Sequence, residues 1–533
     1  MADYGATLVS DGRKDIAGRP LINFVDCSLV GDIFLGVDDM SGLDKSGANL
    51  ADGLAARLDS APEGHYALLL TDSASACIKA RRLLHTDPKY HDPATGRSKY
   101  EKVVMGSCGA HTLDLFIEDV CKMPWAAALA TKMKRVVNTV YGSDSLRHQY
   151  QSVERGKRLS KFVDTRFGTL KLVAEDLKVN RQQLGRTLQS DAWTKFTSSR
   201  HSRDVSDTDG DKTNAQLGQL IHSDIFGTQF WTDIDHFVEL LSDAYTILRL
   251  CDSNVPPNHE IFKRMSAAKS KLELDPGEFG RTHAEMSHIR KRFDDRWELL
   301  HNSLHSVGFV LGPRNHSLNT WSGCTWTETI DYIKLIYGRN SPKTMQAQMQ
   351  LLNYKRKAGI FAADGLFELA RDISPTAWWE LHGSATPELK HIALLALSQL
   401  AGVGAAERNW KCFAFIHDRR RNRLSKDKAE MLVRCHYNIR ILNRLQDAEY
   451  EELVHQVYNP EEADDMEAQP ADKPLAQPPA QPLAAAQPRA PTPPPITSGP
   501  CLPGSSRVEA VAMSGPLPAG VQVIQAAFAV ETS

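Results

Sequence analysis

The stretch that decides the fold of this 533-residue chain is His65-Tyr-Ala-Leu-Leu-Leu-Thr-Asp72. Tyr66 to Leu70 has the length and the nearly continuous apolar character of a strand that is buried on both faces. Asp72 follows where the strand is expected to stop, and Ser73 to Leu84 is expected to form a helix. A carboxylate at the C-terminal end of a central strand is held rigidly and still meets solvent, which suits a metal ligand. The ordinary structural interpretation of the same residue is a helix N-cap.

The first 120 residues alternate between strand and helix patterns. Short apolar runs predict strands at Ala6 to Ser10, Leu21 to Leu29, Ile33 to Val37 and Val103 to Met105, with Gly31-Asp32 as the turn between the second and third. Leucines at helical spacing predict a helix at Leu50, Leu54 and Leu58, and an apolar face predicts another at His111 to Lys122. This order predicts a mixed sheet with flanking helices.

Strand signals fade after Trp125, and residues 125–385 are predicted to be a mostly helical body. Leu389 to Leu400 and Lys428 to Leu445 are predicted as two further amphipathic helices. The second of these carries Leu432, Cys435, Ile439 and Leu442 on one side. The segment 460–533 holds 15 of the 27 prolines among Ala and Gln, so it is predicted to be a disordered tail.

Composition limits the class of protein. The net charge is −2, and the hydrophobic fraction of 42% with 24% charged residues is typical of a globular protein. The sequence has no run of 18 apolar residues and begins without a signal-peptide pattern, so no membrane association is expected. Nine scattered cysteines indicate a reducing compartment rather than a disulfide framework. The expected location is therefore the cytosol or the nucleus.

A local cluster of cations is compatible with nucleic-acid binding. Nine Lys and Arg side chains lie within 35 residues and could neutralise several phosphates: Lys132, Lys134, Arg135, Arg147, Arg155, Lys157, Arg158, Lys161 and Arg166. A solvated helix face is the equally simple structural interpretation of this cluster.

Several separate blocks in one order resemble the hAT superfamily of DNA transposases, in particular its plant group. The resemblance covers roughly residues 4–445. Its blocks are Tyr4-Gly-Ala-Thr-Leu-Val-Ser-Asp11-Gly, Arg19 to Phe24, Val37 to Gly42, Thr71-Asp72-Ser-Ala-Ser, Cys108-Gly-Ala-His111-Thr-Leu-Asp-Leu115, Thr165-Arg166-Phe167-Gly-Thr169, Arg296 to His301, Gly308 to Pro313, and Ala406-Glu407-Arg408-Asn-Trp410 with Ile416 to Leu424.

This resemblance implies a ribonuclease H-like mixed sheet that is interrupted by a large helical insertion, an α/β fold combined with an all-α part. The implied parts are 1–124 as the first part of the catalytic core, 125–385 as the insertion, and 386–446 as the dimerisation region that completes the core. It also implies that Asp11, Asp72 and Glu407 form a catalytic triad that binds two Mg²⁺ or Mn²⁺ ions. Two-metal phosphodiester chemistry needs such a set of hard oxygen ligands.

The resemblance also implies DNA contacts from Cys108, His111, Arg166, Phe167 and Arg408. Cys108 and His111 have the spacing of half a zinc site, but only Cys121 lies nearby in sequence, so zinc is not favoured. Phe167 replaces the tryptophan of the family's pair that handles a flipped nucleotide, and it can still stack on a base. A buried core phenylalanine is the competing interpretation.

The chain departs from the family pattern in two ways. Arg13 and Lys14 stand where the family has a tryptophan and a hydroxyl residue, and the usual N-terminal BED-type zinc finger is absent from the sequence. Two hypotheses therefore remain open. The first is a metal-dependent nuclear transposase that acts on DNA, and the second is a catalytically silent or domesticated derivative that binds DNA or protein. Both include self-association through the C-terminal region, and neither includes a small-molecule substrate.

Overall fold

A computed structural model describes residues 4–44, 46–152, 158–160, 168–199, 212–318, 323–417 and 424–445. They belong to one compact unit that spans residues 1–457. The predicted tail at 460–533 lies outside the described residues. Among the helices described, none combines the length and the apolarity that a membrane span requires.

The β-sheet is formed by the first 107 residues. Its strands are β1 (Ala6–Lys14), β2 (Pro20–Ser28), β3 (Gly31–Asp39), β4 (Tyr66–Thr71) and β5 (Val104–Ser107). The order across the sheet is β3-β2-β1-β4-β5, with β1, β2 and β3 antiparallel and with β4 and β5 parallel to β1. All five predicted strands and the mixed sheet are confirmed. The predicted turn at Gly31-Asp32 is wrong, because Leu29-Val30 makes the turn and Gly31 begins β3.

Nineteen α-helices lie within the described residues, besides five short 3₁₀ helices. Two follow strands of the sheet, at α1 (Gly47–Asp59) and α2 (Ser75–Thr86), and the rest come after β5. Those are α3 (Gly109–Cys121), α4 (Pro124–Gly142), α5 (Asp144–Ser152), α6 (Gly168–Val179), α7 (Arg181–Leu188), α8 (Asp191–Ser198), α9 (Asn214–Phe226), α10 (Thr228–Asp252), α11 (Asn258–Leu272), α12 (His283–Leu300), α13 (Ser303–Leu311), α14 (Gly323–Tyr337), α15 (Pro342–Arg356), α16 (Pro375–His382), α17 (Pro387–Leu397), α18 (Gly404–Ile416) and α19 (Lys426–Leu445). The predicted helical body is confirmed.

Three apolar cores hold these elements together. The smallest lies between one face of the sheet and α1 and α2, with Leu8, Phe24 and Leu69 at its centre. A second fills the opposite face, where strand residues such as Val9 pack against α13 to α19. The third contains no strand residue and joins α3 to α12. Helices from both sides of residue 385 therefore share the second core with the sheet.

A buried polar link fixes the segment before α18 to the sheet. The Thr7 hydroxyl of β1 donates to Gln399 Oε1 at 2.9 Å and accepts the Leu400 N–H at 3.2 Å. Gln399 Nε2 in turn donates to the Tyr4 carbonyl at 2.8 Å. Gln399 and Thr7 are both completely buried. These bonds join positions almost 400 residues apart in the chain.

Two glycines allow the start of α3 to meet the same segment. The Gly109 N–H donates to the Ala401 carbonyl at 2.7 Å, and a Cβ on Gly109 would lie 2.6 Å from Cys251 Sγ. A Cβ on Gly402 would lie 2.3 Å from the Cys251 carbonyl oxygen. Both contacts are too close for any side chain, so the sheet, α3, α10 and α18 can meet here only through glycine.

We expect Gln399→Leu to lower the free energy of unfolding by about 2 to 4 kcal/mol, because it leaves the buried Thr7 hydroxyl and the Tyr4 carbonyl without these partners. Urea unfolding followed by circular dichroism measures the change. The control is Gln346→Leu, at an exposed position on α15. An equal effect of both substitutions would contradict the structural role of the Gln399 link.

Candidate functional site

The three predicted carboxylates come from three elements that meet at one end of the sheet. Asp11 lies on β1 and Asp72 directly follows β4, which is the parallel neighbour of β1. The carboxyl ends of parallel neighbours meet at the same edge of a sheet. Glu407 lies in the first turn of α18, which packs on β1 and β2.

Asn23 holds α18 against the strands. It lies opposite Asp11 on β2, and its side chain is completely buried. Its Nδ2 donates to the Ala406 carbonyl at 2.8 Å, and its Oδ1 accepts the Asp11 N–H at 3.2 Å. One side chain therefore binds the backbone of Asp11 and the residue before Glu407. This bridge fixes two of the three acids relative to each other.

The environment of Asp11 is unfavourable for a negative charge. Burial, and then the negative charges of Glu407 and Asp72, raise its pKa to about 6. The Gly12 N–H and Trp410 oppose this rise, and Trp410 Nε1 donates to Asp11 Oδ2 at 3.0 Å. Glu407 and Asp72 therefore lie near enough to Asp11 to act on its charge, although Asp11 and Glu407 are far apart in sequence.

Asp72 has the opposite balance because it faces a cation. Burial acts to raise its pKa, but the hydrogen bond and charge of His111 outweigh burial and lower it. His111 Nε2 lies 2.9 Å from Asp72 Oδ1, and this pair raises the pKa of His111. The His111 side chain keeps 41% of its exposure, so it can also meet a ligand from solvent.

Arg81 of α2 hydrogen-bonds the C-terminal ends of β4 and β5. It is 6% exposed, and its Nη1 donates to the Asp72 carbonyl at 3.0 Å and to the Thr71 hydroxyl. Its Nη2 donates to the Ser107 hydroxyl at 2.7 Å. The guanidinium therefore ties both parallel strand ends at the position from which Asp72 projects.

Cys108 is a buried cap rather than a surface residue. It is 1% exposed, and its Sγ accepts N–H bonds from His111 at 3.5 Å and from Val403 at 3.4 Å. Burial raises the pKa of its thiol to about 12. Of the Cys108 and His111 pair, only His111 is accessible from solvent. Cys108 positions His111 and the start of α18.

The other predicted DNA contacts are partly described. Arg408 is half-buried, and its Nη2 donates to Asn254 Oδ1. Arg166 and Phe167 lie outside the described residues. Within the predicted basic cluster, Arg135 forms an ion pair with Asp224 in which both side chains are largely buried, so it serves the helical core.

A cavity of about 320 Å³ lies beside the acids, on the sheet face that carries α1 and α2. Asp11 and Asp72 are among its lining residues, and Phe24 and Leu54 form part of an apolar wall. Arg13 and Lys14, the two departures from the family pattern, also line it and are exposed. Asp11 and Asp72 therefore border this open space, whereas Glu407 is not among its lining residues.

Comparison with known families adds two matches. Residues 1–136 match a family described as a domain of unknown function, DUF659, and residues 351–439 match the hAT family C-terminal dimerisation region. Together they indicate a hAT-family transposase-like protein. The second match supports self-association of the chain. No curated protein matches the sequence.

Sequence reasoning named the acids but missed the residues that hold them. Asn23 and Trp410 lie inside blocks that carry the resemblance, and an asparagine within an apolar strand was a usable signal. Arg81 and Gln399 gave no signal, because a single polar residue in a helix or a loop is ordinary. Their partners are distant in sequence, so only the folded chain identifies them.

The raised pKa of Asp11 predicts a pH-dependent effect of Asp11→Asn. Between the unfolded value of 3.8 and the folded value of about 6, the folded state binds more protons, so this group lowers stability as pH rises. We expect Asp11→Asn to raise the free energy of unfolding at pH 7.5 by on the order of 1 to 2 kcal/mol, discounted for partial exposure, and to change it little near pH 4.

Urea unfolding at both pH values in chelating buffer measures this effect. Asp15→Asn is the control of opposite sign on the same hairpin, since hydrogen bonds and charge from Arg19 outweigh burial and lower the pKa of Asp15. A loss of stability for Asp11→Asn at pH 7.5 would show that Asp11 does not lie in a repulsive cluster.

Proposed function

We propose that this chain is the core of a metal-dependent DNA transposase, in which Asp11, Asp72 and Glu407 form a triad for DNA cleavage and strand transfer. The observation that carries the proposal is the arrangement of the three elements that bear these acids, because β1 and β4 are parallel neighbours and α18 packs on β1 and β2. A protein that needs only to bind DNA has no use for three acids that repel each other and repel phosphate.

The strand order supports the ribonuclease H-like part of the proposal. Three antiparallel strands followed by two parallel strands, in the order β3-β2-β1-β4-β5, are what that fold requires. The acids also occupy the expected elements, namely the first strand, the end of the fourth strand and a helix that follows the large helical body. The two parts of the chain that match the families are the parts that carry these acids.

The donor chemistry fits Mg²⁺ or Mn²⁺, because hard divalent cations prefer carboxylate oxygens. Asp11, Asp72 and Glu407 would hold two such ions, which would activate the attacking oxygen and stabilise the leaving oxygen. In the described ranges, no group of three His, Cys, Asp or Glu side chains is arranged to hold an ion as it stands. Binding therefore requires side-chain rotation, and Asp72 must loosen its pair with His111.

Other residues of the chain would position these acids and contact the DNA. Trp410 keeps one oxygen of Asp11 in place, and Arg81 keeps the strand end of Asp72 in place. His111, once it turns from Asp72, would present a ring N–H donor to a phosphate oxygen. Arg166, Phe167 and Arg408 remain predicted DNA contacts. A DNA substrate places the proposed activity in the nucleus.

The alternative is a catalytically silent derivative that dimerises and binds DNA or another protein. The Asp72–His111 pair favours it, because an acid that is neutralised by a histidine does not need a metal ion. Arg13 at the family's tryptophan position favours it as well. Metal binding separates the two functions.

We expect Mn²⁺ to bind the wild-type chain in isothermal titration calorimetry, and we expect Asp72→Asn and Glu407→Gln each to weaken binding at least tenfold. The reason is that each variant removes one carboxylate ligand from the proposed site. The matched control is Asp331→Asn, which removes an exposed carboxylate paired with Lys334 on α14. Equal binding by all variants, or none by folded wild type, would contradict the proposed triad.

Plasmid nicking in Mn²⁺ then tests the chemistry. If the triad acts, supercoiled DNA is nicked by wild type and by Asp331→Asn, and not by the two triad variants. Metal binding without nicking would favour the silent derivative.

A further inference from the structure

Helix α19 has three faces, and two of them pack against other parts of the chain. One face is buried in the second core through Ala429, Val433, Tyr437 and Ile441. A second face carries Glu430, Arg434 and Asn438, which recur every four residues and lie against β3. Residues four apart lie on the same side of a helix, so each set forms a continuous row.

The side chains of the polar row hydrogen-bond backbone N–H and C=O groups on the edge strand β3. Asn438 Oδ1 accepts the Phe34 N–H at 3.0 Å, and Glu430 Oε1 accepts the Val37 N–H at 3.2 Å. Arg434 donates to the Leu35 carbonyl between them. Edge strands expose such groups to other chains unless they are covered. Because α19 covers β3, this edge is not the surface through which another copy pairs.

The third face of α19 is apolar and exposed. Met431 is 58% exposed, Leu432 is 45% exposed and Ile439 is 53% exposed, and Cys435 between them is also exposed. Phe415 of α18 is 68% exposed and extends this surface, because the centroid of its ring lies 5.9 Å from the ring centroid of His436 on α19. We call Phe415, Met431, Leu432, Cys435 and Ile439 the outer stripe. A contiguous exposed apolar surface of this kind marks an interaction site.

We propose that the outer stripe is the interface with a second copy of this chain. The inference deepens the self-association that the dimerisation-region match supports, and it rests on a function that requires self-association. The occupant follows from the match of residues 351–439 to a dimerisation region, since that match includes every residue of the outer stripe. The repeat of apolar side chains at helical spacing suits pairing of two α19 helices.

A twofold axis would pass close to Cys435. In an isologous dimer each patch contacts its own copy, so the residue at the centre of the patch faces itself. Cys435 lies four residues after Met431 and four before Ile439, which places it one helical turn from each. The two Cys435 thiols would then lie within reach of a short bifunctional reagent.

One other apolar group in the matched region competes with the outer stripe. Leu381 of α16 is 62% exposed, and it lies with Ile360 and Leu369, which are 40% and 37% exposed. This group carries no cysteine and is not a helical row. It therefore supplies the matched control, because an interface built on it would respond to Leu381 and not to α19.

Sedimentation equilibrium of the full chain tests the assignment without metal or DNA. We expect a monomer–dimer equilibrium in which Leu432→Asp and Ile439→Asp each raise the Kd at least tenfold, since each buries a charge in an apolar contact. Leu381→Asp should leave the Kd within twofold. Loss of dimer in Leu381→Asp with retention in both α19 variants would overturn the proposal.

Crosslinking gives a second, independent readout. In a Cys324→Ser, Cys501→Ser background, a short bismaleimide should yield covalent dimer, and the added Cys435→Ser substitution should abolish it. A folded chain that stays monomeric at all concentrations, with Cys435 protected from maleimide, would mean that the chain's own segment 446–533 covers the stripe and would overturn the proposal. Because no metal takes part, failure here is distinguishable from failure of the triad.

Discussion

The buried amide of Asn23 is the interaction on which the arrangement of the site depends. It joins β2, the backbone of Asp11 and the first turn of α18, so that an acid near residue 400 reaches a strand at residue 11. An amide can do this because it offers a donor and an acceptor at once in a place that water does not reach. The Thr7–Gln399 link and the glycines at 109 and 402 bring the same segment close enough for that bond to form.

The environments of Asp11 and Asp72 shift their pKa values in opposite directions. Asp11 is held as an acid that resists ionisation, whereas Asp72 is held ionised by His111. Glu407 lies in the first turn of α18, where the helix dipole favours a negative charge. Burial, together with the negative charges of Glu407 and Asp72, makes ionisation of Asp11 unfavourable. In the proposed function, a divalent cation bound beside Asp11 would offset this cost.

Local pattern was enough to predict most elements, whereas the acids were located through the resemblance to a known family. Strands β1 to β5 and the helix of Leu50, Leu54 and Leu58 follow from runs of apolar residues, and the resemblance directed attention to Asp11, Asp72 and Glu407. The contacts that connect these parts could not be predicted, because Asn23 and Trp410 bind groups hundreds of residues away. Likewise, the stripe of Leu432, Cys435 and Ile439 was visible as apolar, but only packing shows that it faces outward. The turn before β3 was misplaced because glycine is a residue type common in turns, and Gly31 directly follows the turn at Leu29-Val30.

The central claim is that Asp11 and Glu407 lie in one repulsive cluster, and a double-mutant cycle tests it most directly. The free energy of unfolding would be measured at pH 7.5 in chelating buffer for wild type, Asp11→Asn, Glu407→Gln and the double variant. If the acids repel each other, removal of either charge also removes the repulsion, so the double variant gains less than the sum of the single gains. We predict a coupling free energy of on the order of 1 kcal/mol. Strict additivity would contradict the convergence of these acids.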